Sequence, residues 1–348
     1  MISFIMVIIS FAAISQASLD TVAAREWTAS AFNNNAALCN EYMLLEPEAT
    51  PLRSMKTRST LLDVVAVDDH TILRKAKIMT DENRWKKENA AYKAVIGSGR
   101  KAKDNRHPSF ITKYLSQEIE GSGGFLGCLI LEAGITDLKQ LSATLGPIEG
   151  APLLALARGM MEAMTRMHSR GFVWTDLKVD NFVLTNCGED IEGRSLKIGP
   201  DCIVKAIDLE SSVGFNSPIQ DFSPEVVAPE QLDALLSGEM TTVNGRAKDL
   251  KINVNEPMPM ATPSLDVWAL GVSILHLHLG RAPISDDPND VKTALSVMRD
   301  FRLGKTDLGL SEVRDPALAK LLASMLVSDA SARPSTSTLK NKSYFRGR

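Results

Sequence analysis

The stretch VWTDLKVDNFVL, residues 173–184, places an aspartate, a lysine and an asparagine close together between apolar residues. These are Asp176, Lys178 and Asn181. A surface turn between two short strands would leave such residues in solvent. A loop held between buried flanking residues would instead present the same three side chains to a ligand. The sequence on either side decides between the two interpretations.

Downstream and just upstream of this stretch, the sequence is typical of helices. Residues 152–168 are rich in Leu, Ala and Met at helical spacing, and Gly171 is a natural helix terminator. Residues 265–279 are almost entirely apolar, which predicts a helix buried on all sides. Further helices are predicted at residues 316–325 and near Thr336.

Before residue 135 the pattern indicates strands. Residues 61–67 and 71–79 are strand candidates on either side of a turn at residues 68–70. A helix is predicted from Asp81 to Ile96, with apolar residues at three- and four-residue spacing. Two further strand candidates flank a Gly/Ser turn at residues 121–124. The sequence therefore predicts a small strand-rich part followed by a larger helical part.

Composition excludes some classes of protein. A chain of 348 residues with 44% hydrophobic content can bury a large core, as one large or two smaller lobes. A net charge of −3 and a pI near 6.0 give no reason to expect a nucleic-acid partner. The cysteines are far apart and form no CxxC pair, so we expect free thiols and neither a disulfide framework nor a zinc site. They are Cys39, Cys128, Cys187 and Cys202.

The N-terminus resembles a targeting segment. Residues 2–14 are an almost unbroken apolar run followed by SQAS, which predicts a signal peptide over residues 1–17. The run is too short for a membrane span, so we expect no stable span in the mature chain. No Lys or Arg precedes the run, and an apolar N-terminal tail is the alternative. The sequence ASAF at residues 29–32 resembles the junction of bipartite plastid presequences.

The predicted signal peptide indicates where in the cell the protein is sent. We expect entry into the secretory pathway or an organelle, a plastid being one candidate, and otherwise a cytoplasmic location. Residues 18–56 have mixed composition and predict a linker.

The opening stretch and several later motifs together resemble eukaryotic-type protein kinases. HSRGFVWTDLKVDN, residues 168–181, is similar to the helix end and catalytic loop of that family, whose pattern is HRDLKxxN. The other matching motifs are IDLE at residues 207–210 in place of DFG, APE at residues 228–230, SLDVWALG at residues 264–271 and ARPS at residues 332–335. The resemblance runs from about residue 60 to residue 345, and the order of the motifs carries it.

The resemblance implies an α+β fold with two lobes, the protein-kinase-like fold. The kinase domain would cover residues 57–345. Its N-lobe, residues 57–132, would be a small antiparallel sheet with one helix, and its C-lobe, residues 135–345, would be mostly helical. The stretch at about residues 231–263 is longer than the family usually has and is interpreted as a surface insertion.

The resemblance also assigns roles in phosphoryl transfer. Asp176 would orient the substrate hydroxyl, and Lys178 would neutralise the transferring phosphoryl group. Asn181 and Asp208 would hold Mg²⁺. Asp266, within the SLDVWALG motif, would brace the catalytic loop by accepting backbone N–H bonds.

For ATP, the family needs a strand lysine paired with a helix glutamate. Lys75 and Lys77 lie on the same face of one strand, and either could point inward. We favour Lys75, with Glu88 as its partner.

The remaining nucleotide contacts fall on the segment between the lobes. Glu132 and Gly134 lie in LEAG, which matches the hinge whose backbone groups would bind adenine. Asp137 stands where an acidic residue often meets the ribose. Near the end of the domain, Arg333 matches the buried arginine that pairs with the glutamate of APE, here Glu230.

Three departures from the family pattern matter. No glycine precedes Gly97, so the Gly-rich loop over the phosphates is absent. Thr175 replaces the arginine before the expected catalytic aspartate, so a phosphate on the activation segment, which the resemblance places at residues 208–230, has no obvious partner there. Glu210 replaces the glycine of DFG, where it would either add a metal ligand or face solvent.

The sequence therefore predicts a protein kinase that uses ATP and Mg²⁺ and transfers phosphoryl groups to Ser or Thr hydroxyls of a protein substrate. The missing glycines favour one alternative, a pseudokinase scaffold that binds partners and transfers nothing.

Overall fold

The structure is a computed structural model, and it describes most of the chain from residue 50 onwards. The described residues are 50–56, 60–67, 72–79, 81–96, 109–119, 125–132, 134–189, 196–197, 202–219, 223–231, 239–243, 246–251, 259–287 and 290–346. The predicted signal peptide and the turns at residues 68–70 and 121–124 lie outside them. Two compact units divide the chain: one comprises Met1–Thr136 and Val183–Glu210, the other Asp137–Phe182 and Ser211–Arg348.

The first unit is built on a five-stranded antiparallel sheet in the order β1-β2-β3-β5-β4. Its strands are β1 (Thr50–Lys56), β2 (Thr60–Val67), β3 (Ile72–Met79), β4 (Lys113–Ile119) and β5 (Leu126–Glu132). Residues 50–56, predicted as part of a linker, instead form the edge strand β1. The sequence pattern misses this strand because Pro51 interrupts it. An edge strand with a bulge tolerates proline, and the register of β1 does shift between Pro51 and Arg53.

One helix, α1 (Glu82–Ile96), follows β3. It begins after Asp81, whose Oδ1 accepts hydrogen bonds from the backbone N–H groups of Asn83 and Arg84 at 3.0 and 3.1 Å. The buried residues of α1 follow the spacing of a single helix face and include Glu88 among apolar neighbours. The sheet and this helix confirm the predicted strand-rich part with its single helix.

The first unit also contains the segment Val183–Glu210, later in the chain. The strands here are β8 (Phe182–Thr185), β9 (Gly188–Glu189), β10 (Leu196–Lys197) and β11 (Ile203–Ala206), with β6 (Thr136–Asp137) earlier in the chain. β8 and β11 are hydrogen-bonded neighbours, as are β9 and β10.

The prediction of free thiols is wrong for the described cysteines. Cys187 and Cys202 form a disulfide with a Cα–Cα distance of 4.2 Å, and Cys128 is also disulfide-bonded. Cys187 follows β8 and Cys202 precedes β11. Because these strands are neighbours in a sheet, the end of one lies beside the start of the other. The 15-residue separation in sequence gives no sign of this pairing.

The second unit is mostly helical. Its helices are α2 (Leu138–Leu145), α3 (Gly150–Ser169), α4 (Pro263–Leu279), α5 (Val291–Arg302), α6 (Pro316–Met325), α7 (Thr336–Lys340) and α8 (Ser343–Arg346). Helix α4 packs against α3 and α6. Of its 17 residues, 13 are buried, which confirms the prediction of a helix buried on all sides. Together the two units confirm the predicted α+β, protein-kinase-like fold.

Short strands complete the second unit. β7 (Phe172–Val173) pairs with β12 (Val213–Gly214), and β13 (Glu239–Val243) pairs with β14 (Arg246–Lys251). The second pair lies within the stretch predicted as an insertion. No helix in the described part of the chain is long and apolar enough to cross a membrane.

Candidate active site

The stretch at residues 173–184 is a loop held by buried aromatic and aliphatic residues. Trp174, Leu177 and Phe182 are fully buried, and the rings of Trp174 and Phe182 meet edge to face at 5.1 Å. Between them, a short 3₁₀ turn spans Val179–Asn181. The apolar residues therefore fix the backbone, and the polar residues between them are held in place.

Asp266 holds the start of this loop. Its carboxylate, fully buried on α4, accepts the backbone N–H of Trp174 at 2.8 Å and of Thr175 at 3.0 Å. His168 Nε2 lies 2.8 Å from the same carboxylate. A buried carboxylate with several N–H donors is well satisfied. This arrangement confirms the predicted bracing role of Asp266.

Thr175 occupies the position where the family pattern has arginine. Its φ of 64° lies in the left-handed region, which is strained for a β-branched residue. Its hydroxyl donates a hydrogen bond to the carbonyl of Ser211 at 2.8 Å. The loop is therefore tied to the start of the segment that follows Glu210.

The three polar residues of the loop contact one another. Lys178 Nζ lies 3.2 Å from Asp176 Oδ1. Asn181 Nδ2 donates to the Asp176 carbonyl at 2.8 Å and to Asp176 Oδ2 at 3.0 Å. The asparagine amide nitrogen is thus engaged, and its oxygen is the atom that it can offer to a cation.

Lys178 also reaches the segment that ends in APE. Its ammonium donates to Ser223 Oγ at 2.6 Å and lies 3.6 Å from Glu225. Burial would lower the pKa of Lys178, but the carboxylates of Asp176, Asp180 and Glu225 outweigh that effect and raise the pKa above its ordinary value. Lys178 is therefore a fixed positive charge beside Asp176.

In the first unit, Lys77 is the lysine that pairs with Glu88. Their charged atoms lie 2.9 Å apart, and Lys77 Nζ is 3.0 Å from Asp208 Oδ1. The prediction that Lys75 makes the pair with Glu88 is wrong. Both lysines lie on one face of β3 in the sequence pattern, and only the position of α1 along the strand distinguishes them.

Glu210 belongs to the same cluster of charged side chains as Lys77, Glu88 and Asp208. One carboxylate oxygen lies 3.1 Å from Arg84 Nη1, and the other lies 3.3 Å from Lys77 Nζ. Burial raises the pKa of Glu210, while Lys77 and Arg84 oppose that shift. Of the two roles left open for Glu210, facing solvent is wrong, since its carboxylate bridges two cations.

Carboxylates outnumber cations in the contacts among Lys77, Arg84, Glu88, Asp208 and Glu210. Glu88, Asp208 and Glu210 supply three carboxylates, against the two cations Lys77 and Arg84. Burial lowers the pKa of Lys77, but the carboxylates raise it well above its ordinary value. Burial also raises the pKa of Glu88 to about 7, with Asp208 and Glu210 adding to the shift and Lys77 opposing it. Because the carboxylates in these contacts outnumber the cations, a further cation would be stabilised here.

That donor set fits magnesium. One ligand oxygen from each of Glu88, Asp208 and Glu210 lies within 4.8 Å of the others, and hard oxygen ligands are those that Mg²⁺ prefers. All three carboxylates contact Lys77 Nζ, but Glu88 is fully buried, whereas Asp208 is half-buried and has a left-handed φ of 58°. A strained backbone at a carboxylate is common at functional sites. Asp208 is therefore the member best suited to bind a metal ion.

Around the predicted hinge, Glu132 uses its side chain to hold neighbouring strands. Its carboxylate accepts Lys205 Nζ at 2.6 and 2.8 Å, and Thr112 N and Oγ1 at 2.9 and 2.7 Å. Burial would raise the pKa of Glu132, but these bonds lower it. Gly134 lies so close to Val183 that a Cβ would be 2.3 Å from the valine Cβ. Glycine is required there for close packing.

Asp137 caps a helix. Its Oδ1 accepts the backbone N–H of Gln140 at 2.7 Å, at the N-terminus of α2. The carboxylate is half-buried and has this structural role whether or not it also contacts a ribose, which stays a prediction.

The ion pair between Glu230 and Arg333 is confirmed. Two parallel bonds of 2.7 Å join the guanidinium to the carboxylate. Arg333 also donates to the carbonyls of Val327 and Ser264 and lies over the Trp268 ring.

The comparisons agree with this geometry. The family model described as the protein kinase domain matches residues 76–345, and the chain belongs to the protein kinase family. A curated relative, the Serine/threonine-protein kinase ArnS of Sulfolobus acidocaldarius, is 29% identical over 119 residues, which is 33% of this chain. The match spans 16% of the length of that relative.

Sequence reasoning missed three contributors to the site: Arg84, Ser223 and Lys139. Lys139 pairs with Glu225, which in turn faces Lys178. A signal for Arg84 was present, since it stands four residues before Glu88 and so on the same helix face. Nothing in the sequence pattern connects Lys139 with Glu225, which lies 86 residues away.

Proposed function

We propose that this protein is an active kinase that transfers the γ-phosphoryl group of ATP to Ser or Thr hydroxyls of a protein substrate. The observation that carries the proposal is the arrangement of Asp176, Lys178 and Asn181 on a braced loop. A loop without a catalytic role has no physical need to hold a carboxylate, an ammonium and an amide in mutual contact.

Each group of the loop has a step to perform. Asp176 accepts a hydrogen bond from the acceptor hydroxyl and takes up its proton. The hydroxyl oxygen then bonds to the γ-phosphorus, the bond to the bridging oxygen breaks, and ADP leaves. Lys178, held by Asp176 and Ser223, donates to the oxygens of the transferring group.

The first-unit cluster would bind the nucleotide. Lys77, oriented by Glu88, would contact the phosphates. Asp208 and Asn181 would hold Mg²⁺, which supplies positive charge against the phosphates. Losing the Gly-rich loop weakens ATP binding more than the chemical step, because that loop grips phosphates and does not touch the acceptor.

Three observations support Ser/Thr specificity. The loop has the DLKxxN form of the Ser/Thr class, and its lysine is seated on Ser223. The archaeal relative carries Ser/Thr kinase in its name, over a match of 119 residues.

A second function has one observation in its favour. No glycine precedes Gly97, so the sequence lacks the Gly-rich loop whose backbone groups approach the phosphates in this family. A pseudokinase scaffold would bind a partner protein without phosphoryl transfer.

The test compares purified full-length chain with Asp176→Asn and with the surface control Asp300→Asn. Thermal melting with ATP, with and without Mg²⁺, reports nucleotide binding, and radiolabel transfer to a histone mixture reports chemistry. We expect Mg²⁺-dependent stabilisation in all three, with transfer lost only in Asp176→Asn. Phosphoamino-acid analysis of the product should give phosphoserine or phosphothreonine, and phosphotyrosine would contradict the specificity.

Two outcomes oppose the proposal. Full transfer by Asp176→Asn would show that this carboxylate does not serve the reaction. Neither a nucleotide-dependent shift nor transfer in the wild type would favour the scaffold.

A further inference from the structure

Helix α1 is fastened at two points on one face. Glu88 pairs with Lys77 on β3, and Arg84, four residues earlier, pairs with Glu210. Residues four apart on a helix lie one above the other. The two ion pairs therefore hold successive turns of the helix against the same cluster.

Glu210 bridges Arg84 on helix α1 and Lys77 on β3. Its two oxygens face different cations, Arg84 Nη1 at 3.1 Å and Lys77 Nζ at 3.3 Å, and its side chain is 16% exposed. A partly desolvated carboxylate with two charged partners makes stronger bonds than a surface pair. The glycine that the family has at this position offers no side chain, so the bridge is a property of this sequence.

The segment after Glu210 is held as well. Ser211 accepts a hydrogen bond from the hydroxyl of Thr175, the residue that stands in place of the family arginine. That arginine would serve a phosphate on the activation segment. Here the same position holds the backbone directly, without a phosphate.

We propose that Arg84 and Glu210, hereafter the Arg84–Glu210 clamp, position helix α1 so that Glu88 orients Lys77 without phosphorylation of the activation segment. The inference rests on the proposed kinase function. Both clamp residues act through the Lys77–Glu88 pair and are positioning residues.

The clamp predicts a specific pattern of kinetic losses. Arg84→Ala should lower kcat/KM for ATP about tenfold, the loss expected of one charge-assisted hydrogen bond in a half-buried site. Glu210→Ala should lower it at least as much, because it also removes the contact with Lys77. The double variant should lose little more than Glu210→Ala alone, because Glu210→Ala already removes the bond that Arg84→Ala removes. Arg84→Lys should recover most of the activity, since it restores the cation.

A matched control lies on the same helix. Lys86 pairs with Glu82 on the exposed side of α1, also at a four-residue spacing. Lys86→Ala removes a helix ion pair without touching the cluster and should leave kcat/KM within about twofold of wild type, as surface pairs contribute little. Losses equal to those of Arg84→Ala would mean that helix stability alone explains the effect.

A second readout does not depend on activity. Amide hydrogen exchange of residues 82–96 should be about tenfold faster in Arg84→Ala and Glu210→Ala than in wild type or Lys86→Ala, because local opening becomes easier. Phosphatase treatment should leave the wild-type rate unchanged. Additive losses in the double variant, or a phosphatase-sensitive wild type, would overturn the clamp.

Failure of the kinase proposal and failure of the Arg84–Glu210 clamp give different results. If the wild type transfers no phosphoryl group while exchange still separates Arg84→Ala from Lys86→Ala, the kinase proposal fails and the clamp on helix α1 stands as a structural device. If the wild type is active and neither clamp variant differs from Lys86→Ala, the clamp fails and the kinase proposal stands.

Discussion

Glu230→Ala removes one partner of an ion pair whose other partner has no access to water. The Arg333 side chain is 0% exposed and that of Glu230 is 24% exposed. Two bonds of 2.7 Å are lost, while Arg333 keeps its bonds to the carbonyls of Val327 and Ser264. The variant therefore leaves a buried guanidinium with only neutral acceptors.

The size of the stability loss follows from the buried guanidinium that is left without its carboxylate partner. Removing one member of a buried pair costs about 3–5 kcal/mol. The remaining carbonyl bonds and the partial exposure of Glu230 place the expected loss at the lower end, about 3 kcal/mol. In a domain of this size, each kcal/mol corresponds to about 2–4 °C, so the melting temperature should fall by about 6–12 °C.

Urea unfolding and thermal melting measure this loss, with Glu312→Ala as the control. Glu312 pairs with Arg281 at the surface, where both side chains are about half exposed, and its removal should cost less than about 0.5 kcal/mol. Adding Arg333→Met to Glu230→Ala should restore part of the stability, because it removes the buried charge. Equal effects of Glu230→Ala and Glu312→Ala would refute the reasoning.

Three further outcomes follow from the contacts described above. Lys77→Ala should abolish ATP-dependent stabilisation, whereas Lys75→Ala should keep it, and thermal shifts with ATP and Mg²⁺ compare the two directly. Asp266→Asn should lower stability by about 2 kcal/mol, because an amide cannot satisfy two backbone donors as a carboxylate does; a urea midpoint equal to wild type would contradict this. Replacing Cys187 and Cys202 together by serine should cost about 3 kcal/mol, the loop-closure value for 15 residues, and unchanged unfolding under non-reducing conditions would count against that disulfide.

Sequence-based predictions succeed for features that depend on neighbouring residues or on motifs and periodicities that extend over many residues. The braced loop at residues 173–184 could be predicted from its own sequence, because apolar residues alternate there with the polar residues that they position. The Glu230–Arg333 pair follows from the family motifs even though 103 residues separate its members. The buried helix α4 follows from its almost entirely apolar sequence.

The failures share a physical cause, since each depends on which elements meet in space. Lys75 and Lys77 are equivalent in a strand pattern until the helix is placed. Cys187 and Cys202 meet only because β8 and β11 are neighbours. Arg84 and Glu210 pair across 126 positions in the sequence. Glu210 also stands where the family has glycine, so the family pattern gives no sign of this pair.

The Cys187–Cys202 disulfide changes the covalent route between the two predicted magnesium ligands. Asn181 stands six residues before Cys187, and Asp208 stands six residues after Cys202, so the shortest bonded path between them runs through sulfur. A protease that cut the backbone once between residues 190 and 201 would leave both ligands on one covalently joined molecule. Such a nicked protein should migrate as one band without reductant and as two with it, and the chain could be opened at this place without separating the two predicted magnesium ligands.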